Sequence, residues 1–353
     1  MRKERKDEHI EQVMRTLPHG GTLLDQVVLE PLSFPELALD DVDPTVTFFG
    51  QRIAAPLYIN AMTGGTAMTL EINRDLAQMA RDLNLPMQVG SQVVALEEPD
   101  AVASFEVVRK TMGSDGVVIG NLSASASEED VRRAMDMIGA QGVGIHLNPS
   151  QELAQAEGDR DFRGLYDNVV RLADTFGERM IVKEVGFGMS RADGRRLNDL
   201  PLGYVDVSGV GGTNFMEVED SRSIDRDLTE FYDWGVPTAK AIWNIRRECP
   251  TKGIVASGGI TTATEVLKAL VLGADLTAMS GEVLRYLLHG GVAYAEEFLT
   301  GLIENIRMGM LLLGARRVED LKDVPHLLVG RLGELVAAEE AVDAQMNGEG
   351  DGK

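Results

Sequence analysis

Apolar and polar positions alternate along this chain on two length scales. Short apolar runs recur at PLYIN (56–60), LPMQVG (85–90), GVVIGN (116–121), GVGIHLN (142–148), MIVKEVG (180–186), GYVDVSG (203–209), GIVASGG (253–259) and DLTAMSG (275–281). Each run is nearly continuous, the pattern of strands covered on both faces in a parallel sheet. Amphipathic stretches lie between them. TLEINRDLAQMARDL (69–83) sets Leu70, Ile72, Leu76, Met79, Ala80 and Leu83 close to helical spacing. PDAVASFEVVRKTM, SEEDVRRAMDMIG, LYDNVVRLADTFG, TAKAIWNIRREC and TATEVLKALVLG follow the same logic. Ser127 with Asp130 marks one helix start. Thr261 with Glu265 marks another, although that spacing is not a strict capping box.

Strand and helix thus alternate in an α/β pattern whose simplest closed solution is a (β/α)8 TIM barrel. An open doubly wound sheet is the alternative. It announces a dinucleotide with G-x-G-x-x-G after the first strand, and PLYINAMTGGT lacks that pattern. The expected division is an arm and lead-in at 1–45 that contributes to a substrate site, a barrel at 46–335, and an acidic flexible tail at 336–353.

Composition narrows the function classes. The chain has 353 residues, 44% hydrophobic and 25% charged, as expected of a soluble globular protein. No apolar run approaches the roughly 18 residues that span a bilayer. MRKERKDEHIEQ carries no following apolar stretch and does not read as a secretory signal. The single cysteine, Cys249, excludes an internal disulfide and a cysteine-rich metal cluster, so a cytoplasmic location is expected. A formal net charge of -22 disfavours nucleic acid and anionic membranes as partners. An anionic small molecule would need cations gathered locally, or a divalent metal.

Barrel chemistry sits where strands end and helices begin. Here those ends carry Asn60 and MTGG, Ser91-Gln92, Asn121, then His146, Asn148, Gln151 and Glu152, then Lys183-Glu184, Ser208 with GVGGTN, SGGI, and SGE. Gly258, Gly259, Ser280 and Gly281 follow the last two strands, the usual phosphate site of this fold. GVGGTN fails the dinucleotide fingerprint, because Asn214 stands where the third Gly should be. Lys183 lies in an apolar strand, where a cation either meets an anion or reaches out to water. Facing an electron-rich ring, it would stabilise charge at N1–C2=O of a reduced flavin. MTGG, Ser91, Asn121 and Thr213 would supply hydrogen bonds around the ring. FMN is the reading these residues favour, and other phosphorylated cofactors stay open.

GIHLNPSQE (144–152) raises a separate question. His146 and Asn148 share a strand face. Asn148-Pro149-Ser150-Gln151 reads equally well as a helix cap, but capping does not explain His146 or Glu152. A lone carboxylate beside a phosphate site suits Mg2+ held by one ligand plus substrate oxygens. At the other end of the chain, RKDEH brings Arg5, Lys6 and His9, which alone read as a solvated start.

Taken in order, RKDEH (5–9), YINAMTGG (58–65), HLNPSQE (146–152), VKEVGFG (182–188), DVSGVGGTNF (206–215), VEDSR (218–222), WGVPTA (234–239), ASGGI (256–260) and LGAR (313–316) resemble the type 2 isopentenyl-diphosphate isomerase family. The resemblance implies a homo-oligomeric FMN barrel, dimer to octamer with a tetramer favoured. It would interconvert isopentenyl and dimethylallyl diphosphate with Mg2+ and a flavin reduced by NAD(P)H. It implies FMN contacts at Met62, Thr63, Gly64, Ser91, Asn121, Lys183, Ser208, Thr213, Gly258, Gly259, Ser280 and Gly281. It assigns substrate contacts to Arg5, Lys6, His9, Ser91, His146, Asn148 and Gln151, with Gln151, Lys183 and His146 catalytic and Glu152 on the metal. Three positions depart from the family pattern. Val93 and Val210 stand where many members have Arg, and Asp220 replaces a usual Asn; Arg2 and Lys3 are candidates to compensate. The rival functions are a flavin oxidoreductase of the 2-hydroxyacid oxidase type and a non-catalytic flavin binder.

Overall fold

The computed structural model describes residues 21–222 and 227–348. The apolar runs become the strands of a closed parallel barrel: β4 (Leu57–Ile59), β5 (Met87–Gln88), β6 (Val118–Ser123), β7 (Gly142–His146), β8 (Met180–Lys183), β9 (Tyr204–Asp206), β10 (Gly253–Ala256) and β11 (Leu276–Met279). They neighbour one another in chain order, and β11 closes on β4 through Thr277↔Leu57, Ala278↔Tyr58 and Met279↔Ile59. Every residue of β8 and of β11 is buried, as continuous apolar runs require. The TIM barrel expected from the alternation is the fold observed.

The helices start where local chemistry stops the unpaired N–H groups. Helix Ala67–Asp82 begins two residues before the expected stretch, because Thr66 caps it by accepting from Thr69 N at 3.1 Å. Ser127 caps Glu128–Met137 as expected, accepting from Asp130 N. For Ala263–Val271 the cap is Thr262, not Thr261, and its spacing to Glu265 is a strict capping box.

Three strands precede the barrel: β1 (Val27–Leu29), β2 (Val46–Phe48) and β3 (Gln51–Ile53). β2 and β3 form a hairpin whose turn places Phe49 at φ 46° and Gly50 at φ 77°. This hairpin plugs the N-terminal end of the barrel. Phe48 and Ile53 pack with Tyr58, Val117, Ile119, Ile181, Val255 and Leu276 inside it. The Phe48 ring stacks 5.7 Å from Tyr58 and meets Tyr204 edge-on at 4.9 Å. A side chain at Gly142, which opens β7, would lie 2.3 Å from the Phe49 ring, so the plug reaches the strand starts.

The termini join this body. β1 pairs antiparallel with β12 (His326–Leu328), and the described part of the lead-in buries Leu24 and Val27 in the main core. The tail expected at 336–353 is corrected as far as residue 348: Gly330–Gly348 is a helix. Leu332 and Val336 are buried on it. Glu339 accepts from Lys240 at 2.9 Å, and Asp343 pairs with Arg191 at 3.0 Å and with Arg247 at 2.9 Å. Acids four apart share a helix face, and here that face meets the cations of two barrel helices.

Phe48→Ala should destabilise the protein by roughly 3–5 kcal/mol, because the ring is fully buried and its removal leaves a cavity in the barrel floor. Urea unfolding reads this directly, and a loss below about 1 kcal/mol would show that the barrel floor does not depend on the ring.

Candidate active site

The C-terminal strand ends surround one cavity of about 1290 Å³. Met62, Ser91, Asn121, His146, Asn148, Gln151, Glu152, Lys183, Ser208, Thr213, Gly258, Gly259, Ser280 and Gly281 all line it. Two expected wall residues do not. Thr63 is 2% exposed, and Gly64 backs onto Phe105, whose ring would lie 2.3 Å from a side chain there. The reason is local: Asn73 Nδ2 donates to the carbonyls of Thr63 and Ser104, which pulls the MTGG loop behind the surface. Thr63 Oγ1 is nonetheless buried without a hydrogen-bond partner. Arg5, Lys6 and His9 lie outside the described residues.

Lys183 ends β8 with its side chain 7% exposed. It does not reach out to water. Its Nζ donates to the Glu184 carbonyl at 2.9 Å and sits 3.9 Å from Asp206 Oδ2. Asp206 is fully buried and heavily satisfied. It accepts from Ser257 Oγ at 2.5 Å, Asn60 Nδ2 at 3.1 Å, Ser208 N at 3.2 Å and Tyr58 Oη at 3.4 Å. Burial and the neighbouring Asp206 charge push the Tyr58 hydroxyl well above its ordinary range, so it stays a donor. Ser208 takes φ 36°, a costly left-handed conformation for a side-chain residue, while its N–H donates to Asp206.

The loops after β9 and β10 meet backbone to backbone. Gly258 has φ 102°, and a Cβ there would lie 2.0 Å from the Gly209 carbonyl oxygen. At Gly259, φ is 76° and the clash would be 2.2 Å from Gly211 O. Only glycine fits both positions. Ser280 precedes the helix that starts at Gly281 without spending its side chain on a cap.

On the opposite side, His146 Nδ1 is 3.0 Å from Asn121 Oδ1, so Asn121 orients the imidazole. Asn148 stands at the N-cap position of Pro149–Ala154 but makes no side-chain cap bond. Its Nδ2 donates instead to Glu152 Oε1 at 2.9 Å and Gln151 Oε1 at 3.3 Å. This resolves the ambiguity of that motif against plain capping. Glu152 Oε2 also accepts from Asp159 N at 3.0 Å. Gln151 Nε2 donates at 3.2 Å to Glu219, a buried carboxylate that also accepts from Gln155 Nε2 at 3.0 Å and pairs with Arg222 at 2.6 Å. Sequence reasoning missed Glu219 and Asp206. Both lay within recognised motifs, but a carboxylate in a motif shows its importance only once its donors are seen. Among the described residues no group of three or more His, Cys, Asp or Glu side chains could hold a metal.

The FMN-dependent dehydrogenase family matches residues 146–327. Crystal structures of mandelate oxidase share the fold. One with (S)-2-phenylpropionate superposes with a TM-score of 0.64 at 20% identity, covering 87% of this chain and 88% of that one. Another, with a 3,3-difluoro-2-hydroxy-3-phenylpropionic acid, gives 0.67 at 19%, covering 91% and 95%. The isopentenyl-diphosphate delta-isomerase of Bacillus pumilus is 38% identical over 330 residues, 93% of this chain and 92% of the relative. That of Geobacillus sp. is 37% identical over 330 residues, 93% and 94%. The chain belongs to the isopentenyl-diphosphate delta-isomerase family. It is the type 2 family that the motifs resemble.

As a member of the isopentenyl-diphosphate delta-isomerase family, the chain uses its departures differently. Val93 lines the cavity, where it adds apolar surface and no charge. Val210 is buried and packs where Gly235 has no side chain, its backbone bridged to Pro237. Asp220 accepts from Leu228 N at 3.0 Å and Tyr232 Oη at 2.8 Å. Among cavity cations besides Lys183, Arg133 pairs with Asp130 at 3.7 Å and Arg285 pairs with Glu282.

Glu184 turns away from the cavity centre and gathers the N–H groups of Val185, Gly186, Phe187 and Gly188 on one oxygen. Burial still pushes its carboxyl up to about 7, against those N–H groups and the Lys183 charge. A raised folded value means the protonated form favours the fold. The contribution is full below about 4.5 and is lost as pH rises through about 7. Glu184→Gln, neutral throughout, should flatten the dependence of melting temperature on pH across that window; a curve parallel to the parent's would rule the group out.

Proposed function

We propose that the chain isomerises isopentenyl diphosphate to dimethylallyl diphosphate without net redox, using FMN, Mg2+ and NAD(P)H as the reductant of the flavin. The observation that carries the reading is the juxtaposition, in one cavity, of a glycine-lined polar wall with a buried lysine and an amide–carboxylate cluster. The residues fit FMN. Gly258 and Gly259 line the cavity on loops packed too closely for any side chain, and Ser91, Asn121 and Lys183 present a hydroxyl, an amide and an ammonium to the same space. The residues that would hold it are Met62, Ser91, Asn121, Lys183, Ser208, Thr213, Gly258, Gly259, Ser280 and Gly281, all on the cavity wall, with Thr63 and Gly64 packed behind it. When bound in its reduced form, FMN supplies the acid–base group that moves a proton between allylic carbons.

The chain's own side chains divide the remaining work. Lys183 brings a fixed positive charge to an otherwise acidic molecule, where it offsets negative charge developed in the cavity. Gln151 positions the carbon skeleton, and Glu219 fixes which way its amide points. His146 and Asn148 face the diphosphate. Glu152 would supply one ligand to Mg2+ beside the substrate oxygens. Arg5, Lys6 and His9 add charge from the arm. No helix among the described residues is long and apolar enough to cross a membrane. A cytoplasmic homo-oligomer, tetramer favoured, completes the proposal.

A second reading, a 2-hydroxyacid oxidase, draws on the FMN-dependent dehydrogenase match. One assay separates the two, with isopentenyl diphosphate, FMN, Mg2+ and NADPH supplied together. The isomerase forms dimethylallyl diphosphate while NADPH consumption stays far below turnover. Flavin uptake with no isomer formed would leave only a binder, and, in a parallel reaction given a 2-hydroxyacid in place of isopentenyl diphosphate, an electron acceptor consumed in step with that acid would establish the oxidase.

Gln151→Ala should lower kcat by about 100-fold or more while FMN affinity stays within about twofold, as expected for a group acting on substrate. Unchanged turnover would remove Gln151 from the mechanism. Gly258→Ala should do the reverse and weaken FMN binding first, measured by flavin fluorescence quenching.

A further inference from the structure

The network beneath the cavity deepens this reading and rests on FMN being bound there. Four elements converge on Asp206: Tyr58 and Asn60 from the first barrel strand and its end, Ser208 from the loop after β9, Ser257 from the end of β10, and Lys183 from β8. Asp206 has no exposed surface, so bulk solvent does not reach it. Its Oδ1 is taken by Ser257 and the Ser208 N–H. Its Oδ2 faces Asn60, Tyr58 and the Lys183 ammonium. Lys183 Nζ has a carbonyl, Glu184 O, on one side and this carboxylate on the other. An ammonium on a flexible four-carbon stem does not hold one position by itself.

We propose that Asp206 is a positioning residue: from beneath the cavity its carboxylate fixes where the Lys183 charge sits and locks the strained Ser208 turn beside it. The groups at the cavity side then keep one geometry whether or not ligand is present. Asp206 itself does not line the cavity, so it acts through Lys183 and Ser208 and not on substrate.

The test is a double-mutant cycle read on the midpoint potential of bound FMN. Lys183→Met should lower that potential in the parent, because a cation that favours the reduced, more negative ring is gone. In an Asp206→Asn background the same substitution should lower it by less than about half as much, since the ammonium is no longer held in place. Asp206→Asn should also lower kcat by about tenfold or more with little change in KM for isopentenyl diphosphate. A merely structural role moves melting temperature but leaves the Lys183→Met shift the same size in both backgrounds, and that result overturns the proposal. If Asp206→Asn does not fold, Tyr58→Phe keeps the ring in the core and removes one donor from Oδ2. The Lys183→Met shift should then be reduced by a smaller amount, and a full-size shift there also overturns it. A parent protein that takes up no FMN would defeat the functional reading instead.

Discussion

Asp206 is an acidic side chain with no exposed surface, at the level where the barrel interior opens into the cavity. Such a group is tolerated only when hydrogen-bond donors and an opposite charge surround it. Here the donors come from different strands and loops, so satisfying one carboxylate aligns several strand ends at once. Losing a partner of a buried charge typically costs about 3–5 kcal/mol, enough to make this alignment a strong constraint in a marginally stable fold. The rim geometry therefore depends on a group that itself never reaches the cavity surface.

Below that level the interior is dry and apolar. Phe48 and Ile53 enter from the hairpin and meet Ile119, Ile181, Val255 and Leu276, leaving no channel through the barrel. Above it, Asn121, His146 and Lys183 turn the same strand faces polar. On β6 and β8 the change takes two residues, from Ile119 to Asn121 and from Ile181 to Lys183. It places charged and amide groups over a low-dielectric floor, where electrostatic interactions are stronger than in water. That setting suits a reaction whose main demand is stabilising charge and guiding a proton.

The acidic character of the whole chain is reconciled with an anionic substrate by segregation. Carboxylates near the site are already engaged: Glu184 by four backbone N–H groups, Glu219 by two amides and Arg222, and Glu152 by Asn148 and Asp159 N. The Lys183 ammonium is held inside, away from the screening of bulk solvent.

The barrel and most of its rim were legible in the amino-acid order. A strand covered on both faces must be apolar nearly throughout, and a helix on the outside must repeat with its own period, so both patterns are local. The residues just beyond each apolar run were correctly gathered around one opening, because parallel strands place their C-terminal ends together. What the order could not show depends on partners far along the chain. Thr63 and Gly64 sit behind the wall because Asn73 and Phe105 draw them there. The stretch after residue 336 looked like a polar tail, yet its acids match Arg191, Lys240 and Arg247 across the barrel surface. Asp206 and Glu219 are ordinary carboxylates until Tyr58, Ser257, Gln151 and Gln155 arrive from other elements. Periodicity records burial, a property each segment carries by itself. Charge pairing and hydrogen bonding are relations between segments, and only the closed fold brings those segments together.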